Sequence, residues 1–271
     1  MAFFEHDGCA LYYEEFGQGE PLLLVHGLGS SAQDWEYQVP ALAPHYRLIM
    51  VDLRGHGRSA KPRERYTIAG FTADLAALLE HLGTGPVHYV GLSMGGMTGF
   101  QLAVDYPDLL KSLTIVNSTP EVKLRKPDDY WQWFKRWSLM HLVSMGTIGK
   151  GLGKSLFPRP EQAELRRKIS ERWAHNDKHA YLASFNAIVG WGVQERIGQI
   201  RCPTLIISAD HDYTPVALKE QYVRLIPQAT LAVIAHSRHA TPLDQPEHFN
   251  RTLKDFLAHV SSTPKDLREP C

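Results

Sequence analysis

Val87-His88-Tyr89-Val90-Gly91-Leu92-Ser93-Met94-Gly95 is the stretch on which the fold turns. Val87 to Val90 reads as a buried strand, and the residues from Met94 to about Asp105 have helical spacing and stop before Pro107. Between strand and helix stands Ser93, with Gly91 two residues before it and Gly95 two residues after. A turn that sharp lifts a serine hydroxyl above the sheet edge, and a Cβ at either flanking position would collide with neighbouring backbone. The same turn aims the helix N-terminus, and with it the N–H of Met94, at the carbonyl the serine would attack, where developing negative charge is bound. An ordinary glycine-rich turn is the competing reading; the strand before the pentapeptide and the helix after it argue against that.

Outward from this point, short apolar runs alternate with longer helical patterns. Leu22 to Val25, Arg47 to Val51, Leu113 to Val116, Thr204 to Ile207 and Leu231 to Ala235 read as further buried strands. Phe3 to Phe16 alternates enough to supply a hairpin or edge pair, and Thr67 to Leu82 reads as a helix stopped by Gly83. Repeated strand, helix, strand order predicts an α/β fold: a mostly parallel central sheet of about eight strands with helices on both faces. From Thr119 to Gly198 strand-like runs give way to aromatic, basic and helical patterns, and five of the six tryptophans lie there. The expected organisation is a core of 1–118 and 199–271, with 119–198 a helical cap inserted between the sixth and seventh strands and bounded by Pro120, Pro127 and Gly198.

Composition narrows the function classes. The 271 residues balance 29 basic against 29 acidic side chains, so no field favours nucleic acid, and a weakly charged small molecule is the expected partner. No run of 18 apolar residues occurs, so no membrane insertion is expected. Cys9, Cys202 and Cys271 are odd in number and widely spaced, which fits neither a disulfide framework nor a zinc site. With no basic and apolar leader at the start, the expectation is a cytoplasmic protein that needs no cofactor and no metal.

Four motifs together resemble the α/β-hydrolase family of the serine esterase and lactonase type, carboxylesterases and 3-oxoadipate enol-lactonases among them. They are His26-Gly27-Leu28-Gly29, Asp52-Leu53-Arg54-Gly55-His56-Gly57-Arg58-Ser59, the turn at Ser93, and His239 followed by Pro246. The resemblance makes Ser93 the nucleophile and the backbone N–H groups of Leu28 and Met94 the oxyanion donors. It makes His26, Asp52 and Arg54 structural, although Asp52 is a rival for the triad acid.

Chain order in this fold is Ser, then Asp, then His. After the strand Thr204 to Ile207 both Asp210 and Asp212 are available, and the family pattern, with Ala209 in its small position, selects Asp212. After the last strand His236 and His239 compete. Only His239 stands at the family's distance from Asp244 and Pro246, with Arg238 where the family usually has glycine. The chemistry asks for a neutral imidazole that takes the Ser93 proton while an aspartate fixes its tautomer.

Tyr130, Trp133, Phe134 and Trp137 recur at helical spacing. That face covers the core, or else Trp133, Phe134 and Trp137 line an apolar substrate pocket. His175 and His179, four apart, form a weak metal candidate, and Arg166-Arg167-Lys168 reads as a solvated helix face. The expected activity is carboxylic-ester hydrolysis through an acyl-enzyme. Enol-lactonase, thioesterase, C–C bond hydrolase and cofactor-free perhydrolase chemistry stay open, as does a small-ligand receptor without turnover, because fold alone does not separate them.

Overall fold

The computed structural model describes residues 2–262, so Cys271 and the last residues assigned to the core lie outside the described residues. Eight strands form one sheet: β1 (Ala2–His6), β2 (Cys9–Phe16), β3 (Glu20–Val25), β4 (Tyr46–Val51), β5 (Val87–Leu92), β6 (Leu110–Val116), β7 (Thr204–Ala209) and β8 (Ala229–Ile234). Their order is β1-β2-β4-β3-β5-β6-β7-β8. β2 runs antiparallel to β1 and β4, and every other pair is parallel. The β1–β2 hairpin turns at Asp7-Gly8, both with positive φ, the backbone that a two-residue hairpin turn of this hand requires.

The helices are α1 (Val39–Leu42), α2 (Ile68–His81), α3 (Met94–Asp105), α4 (Pro127–Leu142), α5 (Met145–Leu156), α6 (Ala163–Ala174), α7 (Lys178–Ile188), α8 (Val216–Val223), α9 (Thr241–Asp244) and α10 (Pro246–Ser262). α2 begins at Thr67, whose hydroxyl accepts from Gly70 N–H at 2.9 Å, and ends before Gly83 at φ +57°, the left-handed stop that glycine supplies without strain.

Strand alternation divides the core into two layers. Leu23, Val25, Ile49, Val51, Tyr89 and Ile115 point to one face, where Phe71 and Leu75 of α2, Phe100 of α3 and Tyr222 of α8 cover them. Leu22, Leu24, Leu48, Met50, Val90 and Ile207 point to the other, under Leu42 of α1 and Phe249, Leu253 and Leu257 of α10. Burial on both faces of β3 to β7 explains why those strands read as unbroken apolar runs. β8, expected to be buried as well, is an edge strand with Val233 49% exposed, because among the described residues no further strand pairs beyond it.

β3 is paired with β4 on one side and β5 on the other, and the connections leaving β3 and β4 pass over opposite faces. That is the switch point of a doubly wound sheet, where a crevice opens beyond the carboxyl ends of the strands. Because Val25 pairs with Gly91, the loop after β3 and the turn after β5 emerge side by side.

α4 to α7 all lie between β6 and β7. The two ends of this stretch are joined in a way the residue pattern did not suggest. Glu121 and Gly192 form an antiparallel bridge, flanked by Val122 N–H to Trp191 C=O and Val193 N–H to Pro120 C=O, each 2.8 Å.

Candidate active site

Ser93 sits at φ 55°, ψ −113°, a backbone that L side chains rarely adopt, immediately before the first residue of α3. The turn is held from all sides. Ser93 N–H donates to Val116 C=O at 2.9 Å, and Ser93 C=O accepts from Ser118 Oγ at 2.7 Å and from Met97 N–H at 3.0 Å. From below, Tyr89 Oη donates to Gly95 C=O at 2.6 Å. A Cβ on Gly91 would run into the carbonyl of Gly95, and one on Gly95 into the carbonyl of Val25. Both glycines are therefore demanded by backbone contact. Met94 opens the helix, so its N–H has no partner four residues earlier within α3.

The neighbouring loop carries the second expected donor. Ser30 N–H closes a turn onto Gly27 C=O at 3.2 Å, and Gly29 at φ +71° takes the left-handed position that such a turn needs. The closing bond leaves the N–H of Leu28 unused. A Cβ built on Gly27 would stand 3.2 Å from Ser93 Cβ and 3.8 Å from its Oγ, which places this loop directly against the serine.

His26 is buried and uses both ring nitrogens: Nδ1 donates to Gly27 C=O at 2.7 Å, and Nε2 accepts from Leu53 N–H at 3.0 Å. It ties one loop to the next, and burial holds its pKa down at about 4, so the imidazole is neutral. Asp52 is taken up in the same scaffold, accepting Ala32 N–H and Arg58 N–H at 2.7 Å each. Arg54 grips Asp74 with Nε at 2.5 Å and Nη2 at 2.6 Å. Among the described residues no histidine hydrogen-bonds an oxygen of Asp52; the residue holds the loops that support Gly27 to Gly29.

The two candidate acids separate by their partners. Asp210 accepts the N–H groups of His236, at 2.8 Å, and Ser237, at 3.0 Å, and so shapes the turn after β8. Asp212 meets His239: Oδ1 lies 2.6 Å from Nδ1. A carboxylate only accepts, so Nδ1 carries the proton and Nε2 of a neutral ring is free to take one. Burial pushes the Asp212 carboxyl up, but the hydrogen bond and charge of His239 and the charge of Lys219 outweigh it and hold the group well below the usual carboxylate range. The ring of Tyr213 stacks on His239 with centroids 4.4 Å apart. His236 is exposed, at φ 55°. Because the left-handed residue of this turn is His236, position 238 has no need of glycine, and Arg238 N–H donates to Asp244 Oδ2 at 2.7 Å.

Sequence reasoning missed two residues here. Asn117, at φ 45° just past β6, donates from Nδ2 to His239 C=O at 2.8 Å and to Thr241 Oγ1 at 2.7 Å, and its Oδ1 accepts Ala209 N–H at 2.7 Å. It pins the histidine loop to the ends of β6 and β7, and an asparagine at a strand end, which tolerates left-handed backbone, was the available signal. Lys219, wholly buried on α8, donates to Asp212 Oδ2 at 2.5 Å.

Ser93 and His239 open into one cavity of about 580 Å³, whose wall also includes Gly27, Leu28 and residues of α4 to α7. Of the three aromatic residues expected in that wall, Trp133 is there; Phe134 and Trp137 are not. The reason is helical phase. Asp129, Gln132, Trp133 and Arg136 form the face of α4 turned to the cavity. Phe134 is 48% exposed and stacks on Trp131 at 6.0 Å, and Trp137 packs on His141 at 3.9 Å. Tyr130, at 56% exposed, does not cover the core either.

His175 caps the end of α6, whereas His179 belongs to α7, which starts anew where Asp177 accepts Ala180 N–H at 2.8 Å. The two histidines are thus not one helix face, and among the described residues no group of three or more His, Cys, Asp or Glu side chains is placed to hold a metal ion. Within the basic triplet Arg167 is exposed beside Glu171, while the half-buried Lys168 reaches Glu36 Oε2 at 2.6 Å and the half-buried Arg166 reaches Phe157 C=O at 2.7 Å.

The model of the alpha/beta hydrolase fold family matches residues 20–140. A protein of Variovorax paradoxus named putative carbamate hydrolase RutD is 32% identical over 264 residues, spanning 93% of this chain and 97% of its own. The solved enol-lactonase of Burkholderia xenovorans superposes with a TM-score of 0.88 at 26% identity, covering 95% of this chain and all, 100%, of the other. A thermophilic esterase of Thermogutta terrifontis gives 0.84 at 27% identity, covering 95% and 97%.

Proposed function

The chain belongs to the α/β-hydrolase fold family, and from that premise we propose that it is a serine hydrolase that cleaves a carboxylic ester or lactone through an acyl-enzyme. His239 Nε2 takes the Ser93 proton as Oγ attacks the substrate carbonyl carbon. The carbonyl oxygen gains the negative charge, and the N–H groups of Leu28 and Met94 receive it. Collapse of the tetrahedral intermediate breaks the bond to the alkoxy oxygen, which leaves with the proton from His239. Water, deprotonated by the same imidazole, then releases the acid and restores Ser93.

The observation that carries this reading is one cavity lined by Ser93 on a strained turn and by His239 backed by Asp212. Two amides aimed at a developing oxyanion are worth about 3 kcal/mol or more each. The cavity is walled chiefly by apolar side chains such as Met97, Val122, Leu152, Leu156, Ile169 and Ile188, which suits a small substrate with an apolar acyl part. α4 to α7 act as its cap. Asn176 Nδ2 donates to Gly29 C=O at 2.6 Å, so the cap presses on the donor loop. The relatives named carbamate hydrolase and enol-lactonase favour a second substrate choice, a carbamate or a cyclic enol ester, for which the same attack and oxyanion serve.

Incubation with a fluorophosphonate followed by intact-mass measurement should show a single adduct on the wild type and none on Ser93→Ala. A panel of esters, lactones, thioesters and carbamates of graded chain length then ranks the substrates. A wild type with neither adduct nor turnover would leave ligand binding without catalysis as the function.

A further inference from the structure

Lys219 plays no part in the chemistry above, yet its side chain is 0% exposed. A buried ammonium is costly unless each of its three N–H groups finds an acceptor. Here all three acceptors are present: Asp212 Oδ2 at 2.5 Å, Thr214 C=O at 2.7 Å and Thr214 Oγ1 at 2.7 Å. Asp212 is thereby shared. Its Oδ1 faces His239, while its Oδ2 takes the lysine and, at 2.7 Å, the hydroxyl of Thr214. An acid held on both oxygens can neither rotate away from the imidazole nor direct its whole charge toward it.

Building on the serine-hydrolase reading, we propose that Lys219 is a positioning residue that locks the Asp212 carboxylate against His239 and draws off part of its charge, so that the imidazole stays neutral and able to accept the Ser93 proton. An unshared carboxylate would direct its whole charge at the ring and stabilise the imidazolium more. The other groups around the pair are Tyr213, stacked on His239, and Tyr222 of α8, which feels the charge of Asp212. Arg136 of α4 and Arg238 act on Tyr213. None of these donates to Asp212 Oδ2.

The test is a pH titration of the His239 side-chain nitrogens by NMR on the full chain, which needs no turnover, with the acid limb of kcat/KM measured beside it. Lys219→Met should raise the His239 midpoint, and the acid limb should move up with it. Lys219→Gln removes the charge while keeping two of the three N–H donors on a side chain one bond shorter, and it should shift the midpoint in the same direction. Lys219→Arg should return it toward the wild-type value. An unchanged midpoint in a folded Met or Gln variant overturns the proposal, and so does loss of the fold in both, which would assign the lysine to the architecture of the loop alone. A shifted midpoint in a protein with no turnover would instead sink the hydrolase reading and leave the charge sharing intact.

Discussion

A serine in left-handed backbone costs about 1–3 kcal/mol that surrounding contacts must over-determine, and at Ser93 three hydrogen bonds and two obligatory glycines do so. The side chain itself contributes nothing to that holding, so Ser93→Ala should fold normally and lose only chemistry. Ser93→Ala and His239→Ala should each lower kcat by a factor on the order of 10⁴ to 10⁶, while His236→Ala should leave it within about twofold. The two aspartates should part in kind. Asp212→Asn should cut kcat sharply and, because it leaves the buried Lys219 ammonium without its counter-charge, also lower the melting temperature, whereas Asp210→Asn, which weakens two bonds to backbone N–H groups, should lower the melting temperature and spare kcat. Steady-state kinetics with thermal melts decides the matter, and the reverse ranking would transfer the acid role. Ser93 and His239 were legible in the chain because their signals are local, a strand-turn-helix pattern and a fixed distance to Asp244 and Pro246. Asn117 was not, because the residue it secures is 122 positions away, and Lys219 was hidden because a lysine is ordinarily read as surface.

At the level of elements, β3 to β7 declared themselves because burial on both faces leaves only apolar runs, and α2 and α3 because cap and stop residues frame them. The phase of α4 was a different matter. Periodicity shows which residues share a side of a helix, but the direction that side faces depends on how four helices fold back, which no local pattern encodes. Tyr130, Trp133, Phe134 and Trp137 do share a side, yet only its edge at Trp133 reaches the cavity. The consequence is testable with a series of p-nitrophenyl esters. Trp133→Ala should change KM in a way that depends on acyl-chain length, because the cavity is enlarged at its wall, and Phe134→Ala should leave every KM within about twofold. A matching response from both would mean that the aromatic side acts as a unit.

Over the whole molecule, the switch point that places the crevice also buries two imidazoles under it, with consequences for stability. His26 and His56 lie with ring centroids 5.1 Å apart, and neither is more than 1% exposed. Burial lowers the pKa of His26 to about 4, and burial together with the charge of His26 lowers that of His56 to about 3, both from 6.5. In the unfolded chain each ring protonates as the pH falls through 6.5, while the native state refuses the proton until about 4 and about 3. The unfolded state therefore binds more protons across that window, and stability declines as the medium is acidified. For His26 alone the loss between neutrality and pH 4 is on the order of 3 kcal/mol. Urea unfolding at intervals from pH 7.5 to 4.5 should show the free energy dropping below pH 6.5, and His56→Phe should remove about one proton from the uptake and flatten the slope at pH 5. A wild-type stability that stays level between pH 6.5 and 4.5 would show that these rings are protonated in the fold, and that the loops supporting Gly27 to Gly29 are held together in some other way.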